Sequence, residues 1–335
     1  MYHSKISGLG YYVPNNIVTN DDLSKLMDTN DEWIQERTGI KERRHVIRGE
    51  DTTTTMGVKA AEIAIQRSGV SKEDIDFVVF ATLSPDYYFP GPGVLVQRDL
   101  GLRTVGALDV RNQCSGFVYA ISVADQYIKT GMYKNILVIG SELHSTGLDI
   151  STRGRGVSVI FGDGAGAAVL SREEDLSKGI LSTHLHSEGQ HAEELSLIAP
   201  GMGKRWVTDI IADNDPNDES YYPYMNGQFV FKNAVVRFSE VINEGLQANN
   251  LQVSDINMLV PHQANLRISQ FIQQKFRLTD DQVFNNIQKY GNTTAASIPI
   301  ALTEAWEQGK IKSGDLVVLA AFGSGFTWGS VIIRW

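Results

Sequence analysis

The sequence has a single cysteine, Cys114, in 335 residues, and it has no pronounced run of lysine or arginine. One thiol cannot form a disulfide within the chain, and a zinc site would need other ligands. The formal net charge is −9. Because nucleic-acid binding depends on basic patches that neutralise phosphates, this composition disfavours a nucleic-acid partner.

Long apolar runs are also missing. No segment reaches the roughly 18 consecutive apolar residues that a transmembrane helix needs, and residues 1–16 lack the basic and apolar regions of a signal peptide. We therefore expect a soluble, cytoplasmic protein with no membrane partner. The hydrophobic content of 42% and the charged content of 21% favour a folded protein with a sizeable core.

Short apolar segments rich in β-branched residues alternate along the chain with segments of helical periodicity. The segments that predict buried strands are residues 77–83, 135–141, 257–262 and 316–322. Helical periodicity is clearest over residues 52–70 and 228–250. This alternation is typical of an α/β fold built around a buried sheet. An acidic segment with two prolines, residues 209–224, predicts a loop that is either an entrance lid or a plain surface insertion.

A weak internal repeat runs along the chain in three pairs of segments that keep the same order. The pairs are residues 74–79 with 255–260, 114–141 with 292–321, and 162–170 with 327–335. The first pair is offset by about 181 residues, and the second pair places Cys114 opposite Asn292. The repeat predicts a duplicated chain, with an N-terminal half over residues 1–175 that carries the cysteine and a C-terminal half over residues 176–335.

Cys114 lies where a predicted strand ends and a helical segment begins. The N–H groups and the macrodipole of a helix N-terminus would stabilise a thiolate there, and a strand-to-helix turn can supply an oxyanion-binding N–H. The alternative is an inert buried cysteine. His262 follows a predicted strand and Asn292 precedes a helical segment, so both could reach the cysteine at a shared sheet edge. Taken singly, they could be a satisfied histidine and a helix cap.

Seven segments carry a resemblance to a known family. They are residues 31–44, 111–126, 161–170, 182–189, 262–268, 291–299 and 322–330. At these residues the sequence resembles the β-ketoacyl-acyl carrier protein synthases III, which have the thiolase fold. The resemblance covers nearly the whole chain. It implies an α/β fold of two duplicated βαβαβαββ halves that form a five-layered α-β-α-β-α core, and it implies a homodimer.

The resemblance also implies an activity and a catalytic triad. Cys114, His262 and Asn292 match the family's Cys-His-Asn pattern. In the implied reaction the Cys114 thiolate takes an acyl group from acyl-CoA, and malonyl-acyl carrier protein then loses CO₂ and attacks the acyl-enzyme. His262 and Asn292 would polarise the malonyl thioester, while the backbone N–H groups of Cys114 and Ser324 would form the oxyanion hole. The product is a β-ketoacyl thioester that begins fatty-acid synthesis, and no cofactor is implied.

Further residues acquire roles by the same resemblance. The positions that match CoA-binding residues are Trp33, Arg37, Arg153, Arg155 and Asn265. The positions that match a basic patch for the acidic carrier protein are Lys232, Arg267 and Lys275. Phe89 matches a residue of the acyl pocket that reaches across the dimer interface. Without the family, the basic residues would be interpreted as solvated helix faces.

Some positions depart from the family pattern. Gln113 and Ser115 flank the nucleophile where the family commonly has alanine, and Ser324 stands where a glycine is common. These features resemble specialised-metabolite relatives of the quinolone or alkylresorcinol type, which use longer or β-keto acyl groups and form the alternative hypothesis. A non-catalytic partner subunit and a thioester hydrolase on the same fold are further alternatives.

Three histidines, His184, His186 and His191, lie close together in the sequence. His184 and His186 have the spacing of one strand face, which a metal site can use. Because residues 182–189 form one of the family segments and the implied reaction needs no metal, we expect no metal here.

Overall fold

The computed structural model describes residues 2–201, 215 and 217–335. The strands of the first half are β1 (His3–Tyr12), β2 (Ile17–Thr19), β3 (Glu42–Arg44), β4 (Phe77–Ala81), β5 (Gly106–Val110), β6 (Asn135–Glu142) and β7 (Gly164–Glu173). Its helices are α1 (Asn20–Ser24), α2 (Asp31–Thr38), α3 (Thr53–Ser68), α4 (Pro92–Asp99), α5 (Gly116–Lys129) and α6 (Arg155–Ser158).

The described part of the second half has a similar mixture of elements. Its strands are β8 (Gly179–Ser187), β9 (Leu195–Ser196), β10 (Tyr224–Met225), β11 (Met258–Pro261), β12 (Leu316–Gly323) and β13 (Thr327–Arg334). Its helices are α7 (Gly227–Ala248), α8 (Leu266–Phe276), α9 (Ile287–Tyr290) and α10 (Ser297–Glu307).

The main sheets of the two halves share one pattern. Among the described residues the strand order is β1-β7-β6-β4-β5 in the first sheet and β8-β13-β12-β11 in the second. β6 is parallel to β4 and antiparallel to β7, just as β12 is parallel to β11 and antiparallel to β13. Equivalent elements begin 181 residues apart: β4 and β11 at 77 and 258, α5 and α10 at 116 and 297, β6 and β12 at 135 and 316. The predicted duplication is confirmed.

The helices lie in three layers around the two sheets. α5 and α10 lie between the sheets, and their apolar side chains join one core with residues of both. α3 and α4 cover the outer face of the first sheet, and α7 and α8 cover the outer face of the second. The layers therefore follow the expected order α-β-α-β-α.

The local sequence explains the elements that carry this core. β4 and β6 are buried along their whole length, which is why their sequences are apolar without alternation. α3 begins with a capping box between Thr52 and Thr55 and ends at Gly69, whose φ of 69° is left-handed. The helix predicted over residues 52–70 and the four predicted strands are confirmed to within two residues.

The two halves are joined by the turn between β7, which ends at Glu173, and β8, which begins at Gly179. The boundary predicted at residue 175 falls in this turn. Part of the predicted loop over residues 209–224 lies outside the described residues, and the remainder contains a 3₁₀ turn, Glu219–Tyr221, and β10. None of the described helices is long and apolar enough to cross a membrane.

Candidate active site

Cys114 lies in a 3₁₀ turn, Gln113–Ser115, between the end of β5 and the start of α5. Gln113 has a φ of +44°, a conformation that turns the chain sharply just before the cysteine. The thiol side chain is only 8% exposed. It borders a cavity of about 470 Å³, whose lining also includes Phe161, Thr294 and Ser324. The cysteine is therefore buried but faces space that an acyl group can fill.

The sequence predicted a stabilised thiolate, which would lower the pKa of Cys114, but the pKa is raised. Burial, and to a lesser extent the nearby carboxylate of Glu142, raises the pKa of Cys114 to about 12. The prediction of a thiolate stabilised by the helix N-terminus was wrong for the resting protein. Cys114 lies in the 3₁₀ turn that leads directly into α5, but burial and Glu142 outweigh the backbone N–H groups that favour a charge there. At neutral pH the thiol carries its proton.

Two backbone N–H groups point at the sulfur. They belong to Ser324 and to Cys114 itself, and both favour negative charge at that position. Gly323 makes this approach feasible, because a Cβ built on it would lie 2.5 Å from the Cβ of Cys114. The side chain of Ser324 is turned to the carbonyl oxygen of Leu195, to which its hydroxyl donates. A serine is therefore accommodated where the family commonly has glycine.

The hydroxyl of Ser115 connects the two segments that supply these N–H groups. Its Oγ lies 2.8 Å from Oγ1 of Thr327 and donates to the carbonyl oxygen of Asn112. The hydroxyl of Thr327 in turn donates to the carbonyl oxygen of Ser324 at 3.0 Å. Ser115, which is fully buried, thus holds the nucleophile turn of one half against the β12–β13 loop of the other.

His262 follows β11, and its backbone N–H donates to the carbonyl oxygen of Ala320 at 2.8 Å. Its Nδ1 lies 2.6 Å from Oγ of Ser297, and the same Oγ accepts the N–H of Gln263. In the tautomer with the imidazole proton on Nε2, the Ser297 hydroxyl donates to Nδ1 while it accepts the Gln263 N–H, and this contact accommodates that tautomer. That Nε2 is buried without a partner among the described residues.

The electrostatics of His262 agree with this assignment. Burial lowers the pKa of His262 to about 3, so the ring is neutral at physiological pH. A buried N–H without a partner is costly in a resting protein and is common where a ligand completes the bond. The interpretation of His262 as a satisfied histidine is therefore wrong for Nε2.

Asn292 is clamped between the halves. Its backbone N–H donates to the carbonyl oxygen of Ile160 at 2.8 Å, and its carbonyl oxygen accepts from Gly162 at 3.1 Å. Its Oδ1 accepts the N–H of Thr294 at 2.8 Å. Because Oδ1 already accepts this hydrogen bond, the Nδ2 protons of Asn292 are the group that the amide can offer to a substrate.

The repeat had placed Asn292 opposite Cys114, and this pairing was wrong by three residues. The structural offset of 181 pairs Cys114 with Ala295, and it pairs Gln113 with Thr294, whose φ values are +44° and +50°. The internal repeat misaligned the two turns because both consist of small and polar residues. Asn292 nevertheless lies at the same junction. Thr294 lines the cavity with Cys114, and Ser297, which holds His262, begins the next helix. Of the three predicted residues, Cys114 lines the cavity, Asn292 lies two residues before Thr294, which also lines it, and His262 is joined to the start of α10 through Ser297.

Glu142 is a buried acid that the sequence reasoning missed. Its carboxylate accepts hydrogen bonds from the hydroxyls of Thr82 and Ser84 and from the backbone N–H of Leu83. The backbone N–H of Ala295 also donates to it, and burial raises its pKa to about 7. An acidic residue at the end of an apolar strand was the available signal.

The residues proposed for CoA separate into two groups. The guanidinium of Arg37 lies 4.4 Å from the ring centroid of Trp33, and that of Arg155 lies 5.6 Å from it. Asn265 caps α8, and its Nδ2 donates to the carbonyl oxygen of Arg37. Arg153 lies apart, paired with Asp149 and 5.0 Å from the ring of Tyr222. Arg37, Arg155 and Trp33 thus form a cationic and aromatic surface, which Arg153 does not join.

The remaining predicted sites lie on the surface. The three basic residues proposed for docking are exposed on α7 and α8, namely Lys232, Arg267 and Lys275. Phe89 is 82% exposed, next to exposed Tyr87 and Tyr88. Tyr88 borders the cavity of its own chain, whereas Phe89 does not.

His184 and His186 both contact Glu244, through Nδ1 at 3.3 Å and Nε2 at 2.6 Å. His191 packs separately against the rings of Phe229 and Phe326. Within the described ranges, no three histidine, cysteine, aspartate or glutamate side chains gather as metal ligands. The spacing of His184 and His186 therefore places both side chains on one strand face, where each contacts the carboxylate of Glu244.

Comparisons with known proteins agree with the resemblance. The model of 3-oxoacyl-[acyl-carrier-protein] synthase III matches residues 108–189, and that of its C-terminal part matches residues 246–335. The β-ketoacyl-[acyl-carrier-protein] synthase III of Salmonella paratyphi A is 46% identical over 332 residues, which cover 99% of each chain. That of Sulfurimonas denitrificans is 43% identical over 334 residues, which cover 99% of this chain and 98% of the relative.

Solved structures give the same answer. The crystal structure of 3-oxoacyl-[acyl-carrier-protein] synthase III from Aquifex aeolicus superposes with a TM-score of 0.90 at 43% identity, covering 99% of this chain and 100% of that one. The predicted thiolase fold is therefore confirmed, and the specialised-metabolite alternative is not favoured by these relatives. The chain belongs to the 3-oxoacyl-[acyl-carrier-protein] synthase III family of condensing acyltransferases.

Proposed function

We propose that this protein starts fatty-acid chains. It takes an acyl group from acyl-CoA onto Cys114 and condenses it with malonyl-acyl carrier protein. The products are a β-ketoacyl thioester, CO₂ and CoA. The observation that carries the proposal is a lone buried thiol with two N–H groups aimed at it, together with a neutral histidine whose Nε2 has no partner among the described residues.

The first half-reaction is acyl transfer. The thiol of Cys114 attacks the thioester carbonyl, CoA leaves, and the thiol proton passes to the departing CoA sulfur. Since the resting thiol is protonated, attack and proton removal must be coupled. The N–H groups of Cys114 and Ser324 stabilise the tetrahedral oxyanion, and one such donor is typically worth about 3 to 4 kcal/mol.

The second half-reaction is decarboxylative condensation. The Nε2 proton of His262 and the Nδ2 protons of Asn292 donate to the malonyl thioester oxygen, on which negative charge develops as CO₂ leaves. The resulting carbon attacks the acyl carbonyl on Cys114, and the cysteine sulfur departs as a thiolate that takes up one proton from solvent. Because loss of CO₂ supplies the nucleophilic electron pair, the reaction requires no cofactor.

The surfaces outside the cavity complete the proposal. Trp33 stacks on the adenine of CoA, while Arg37 and Arg155 pair with its phosphates. Asn265 supports this surface through the backbone of Arg37, and Arg153, which is paired with Asp149 apart from this surface, contacts a more distant part of CoA.

The carrier protein and a second subunit occupy other faces. The acidic carrier protein docks on exposed Lys232, Arg267 and Lys275. The protein is a homodimer in which exposed Phe89 enters the acyl cavity of the partner, since it has no place in its own.

Intact-protein mass spectrometry tests the first half-reaction. After incubation with a set of acyl-CoA esters, the protein should gain the mass of one acyl group, and Cys114→Ala should gain none. A wild-type protein without an adduct for any ester, or an adduct that persists in Cys114→Ala, would contradict the proposal.

A further inference from the structure

His144 lies in the wall of the cavity that contains Cys114. Its backbone N–H donates to Oδ1 of Asp163 at 2.7 Å, and its ring packs on Phe161 with the centroids 4.6 Å apart. Its Nε2 lies 2.7 Å from Oγ1 of Thr294. The hydrogen bond to Asp163 holds the backbone of His144, and the contact with Phe161 holds its ring. The hydrogen bond to Thr294 therefore joins a rigid side chain of the N-terminal half to the C-terminal half.

Thr294 is the residue that orients the amide of Asn292. Its N–H donates to Oδ1 of Asn292 at 2.8 Å, while its φ of +50° lies in a region that β-branched residues rarely adopt. Such a backbone conformation persists only where its surroundings enforce it. The hydrogen bond from Thr294 to His144 supplies that enforcement on the cavity side.

We propose that His144 is a positioning residue for Asn292, and that it acts through the hydroxyl of Thr294. An amide can present either its oxygen or its nitrogen to a substrate, and only the nitrogen polarises a thioester oxygen. The Thr294 N–H selects the correct orientation by occupying Oδ1. The inference rests on the proposed role of Asn292 in decarboxylation.

The role of His144 is that of a neutral hydrogen-bonding group. Burial lowers the pKa of His144 to about 4, and the neighbouring His45 and Asp163 act on it with opposite signs. The ring is uncharged at physiological pH, so what it contributes is geometry. A displacement of about 1 Å in a group that contacts the reacting atoms typically costs on the order of 10²-fold in rate.

The test measures the two half-reactions separately in His144→Leu, which removes the hydrogen bond and keeps an apolar side chain. Decarboxylation of a malonyl thioester should fall about 10- to 100-fold through kcat, with KM little changed. Acylation of Cys114 by acyl-CoA should stay within about threefold, because Cys114 and Ser324 are held by other contacts. Thermal unfolding monitors whether the variant folds.

Thr294→Val breaks the same hydrogen bond from the other side and should cost a similar factor. The double variant should be no worse than the more impaired single variant, since both remove one interaction. His144→Gln, whose amide oxygen or nitrogen can hydrogen-bond the Thr294 hydroxyl, and Thr294→Ser, which keeps the hydroxyl, should restore most of the decarboxylation. His3→Leu serves as the matched control. His3 lies on β1, and its side chain contacts the carbonyl oxygen of Lys178.

Three results would overturn the inference. They are wild-type decarboxylation in His144→Leu, a multiplicative loss in the double variant, and equal loss of acylation and decarboxylation. If the wild-type protein itself is acylated but never decarboxylates malonyl thioesters, the proposed function fails first and this inference fails with it.

Discussion

The turn before α5 and the turn before α10 are equivalent in the duplicated chain, and both contain a residue with positive φ, Gln113 and Thr294. In the first half the next residue is Cys114, which supplies both the thiol and an N–H. In the second half the next residue is Ala295, and the polar side chain lies earlier, at Asn292, the position equivalent to Arg111. The backbone was duplicated, but its chemistry was distributed differently over the two copies.

This difference shows why a symmetric scaffold can hold an asymmetric site. Each turn brings a central helix to the junction between the sheets, where side chains of both halves border one cavity. One copy then provides the acyl carrier, and the other provides the groups for decarboxylation. Variants that affect one turn should therefore impair one half-reaction more than the other.

The largest effect should come from closing the space beside Cys114. In Gly323→Ala the new Cβ would lie 2.5 Å from the Cβ of Cys114, so the thiol or the N–H of Ser324 must move. Acylation should fall by about 10²-fold or more, as measured by adduct formation over time. Gly189→Ala, where a Cβ meets no atom of the described residues within 4 Å, should acylate as the wild type does. Normal acylation of Gly323→Ala would refute the proposed oxyanion geometry.

The next effect separates the two copies directly. Asn292→Ala removes one donor to the malonyl oxygen and leaves Cys114 and Ser324 in place. Decarboxylation should fall about 10²- to 10³-fold, while acyl transfer to Cys114 continues. Release of labelled CO₂ and adduct mass measure the two steps. Undiminished CO₂ release by this variant would contradict the role assigned to the second turn.

A smaller effect concerns the charge of Glu142. The pKa of Glu142 is raised to about 7, and the negative charge of Glu142 raises the pKa of Cys114. Above about pH 7, ionisation of Glu142 therefore opposes formation of the Cys114 thiolate. Glu142→Gln should react several-fold faster with iodoacetamide between pH 8 and about 10. Below the pKa of Glu142 the two proteins should converge. Parallel rate profiles across the whole range would show that the carboxylate does not act on the thiol.

The smallest effect should come from Ser115→Ala. This variant removes the link from the nucleophile turn to Thr327 and Ser324. A net contribution of about 1 kcal/mol is typical of one buried hydrogen bond, which corresponds to a fewfold loss in the acylation rate. Ser115→Thr keeps the hydroxyl and should lose less. An equal loss in decarboxylation with free malonyl thioester would count against a specific effect on the first turn.

The sequence predicted those features that depend on local patterns. Apolar runs located β4, β6, β11 and β12, and the lone cysteine at a strand-to-helix junction located the cavity. The features that depend on burial and on contacts formed only in the folded chain could not be predicted. The raised pKa of Cys114 is one of them, because it depends on burial and on Glu142, which lies 28 positions further along the chain.

The partners of His262 and Asn292 could not be predicted for the same reason. Ser297 and Thr294 are unremarkable residues in a small polar segment, and only the fold shows which nitrogen and which oxygen they occupy. The surfaces proposed for CoA, the carrier protein and the second subunit remain predictions that rest on the family.

The hydrogen bond from the Ala295 N–H to the Glu142 carboxylate bears on the number of reaction centres in each chain. Ala295 is the counterpart of Cys114, and Glu142 is the counterpart of Gly323. The N–H of Cys114 faces the cavity, whereas the N–H of Ala295 in the second turn donates to the carboxylate of Glu142, which the first half supplies. Of the two equivalent turns, therefore, the first offers its N–H group to a developing anion and the second does not, so each chain has one reaction centre.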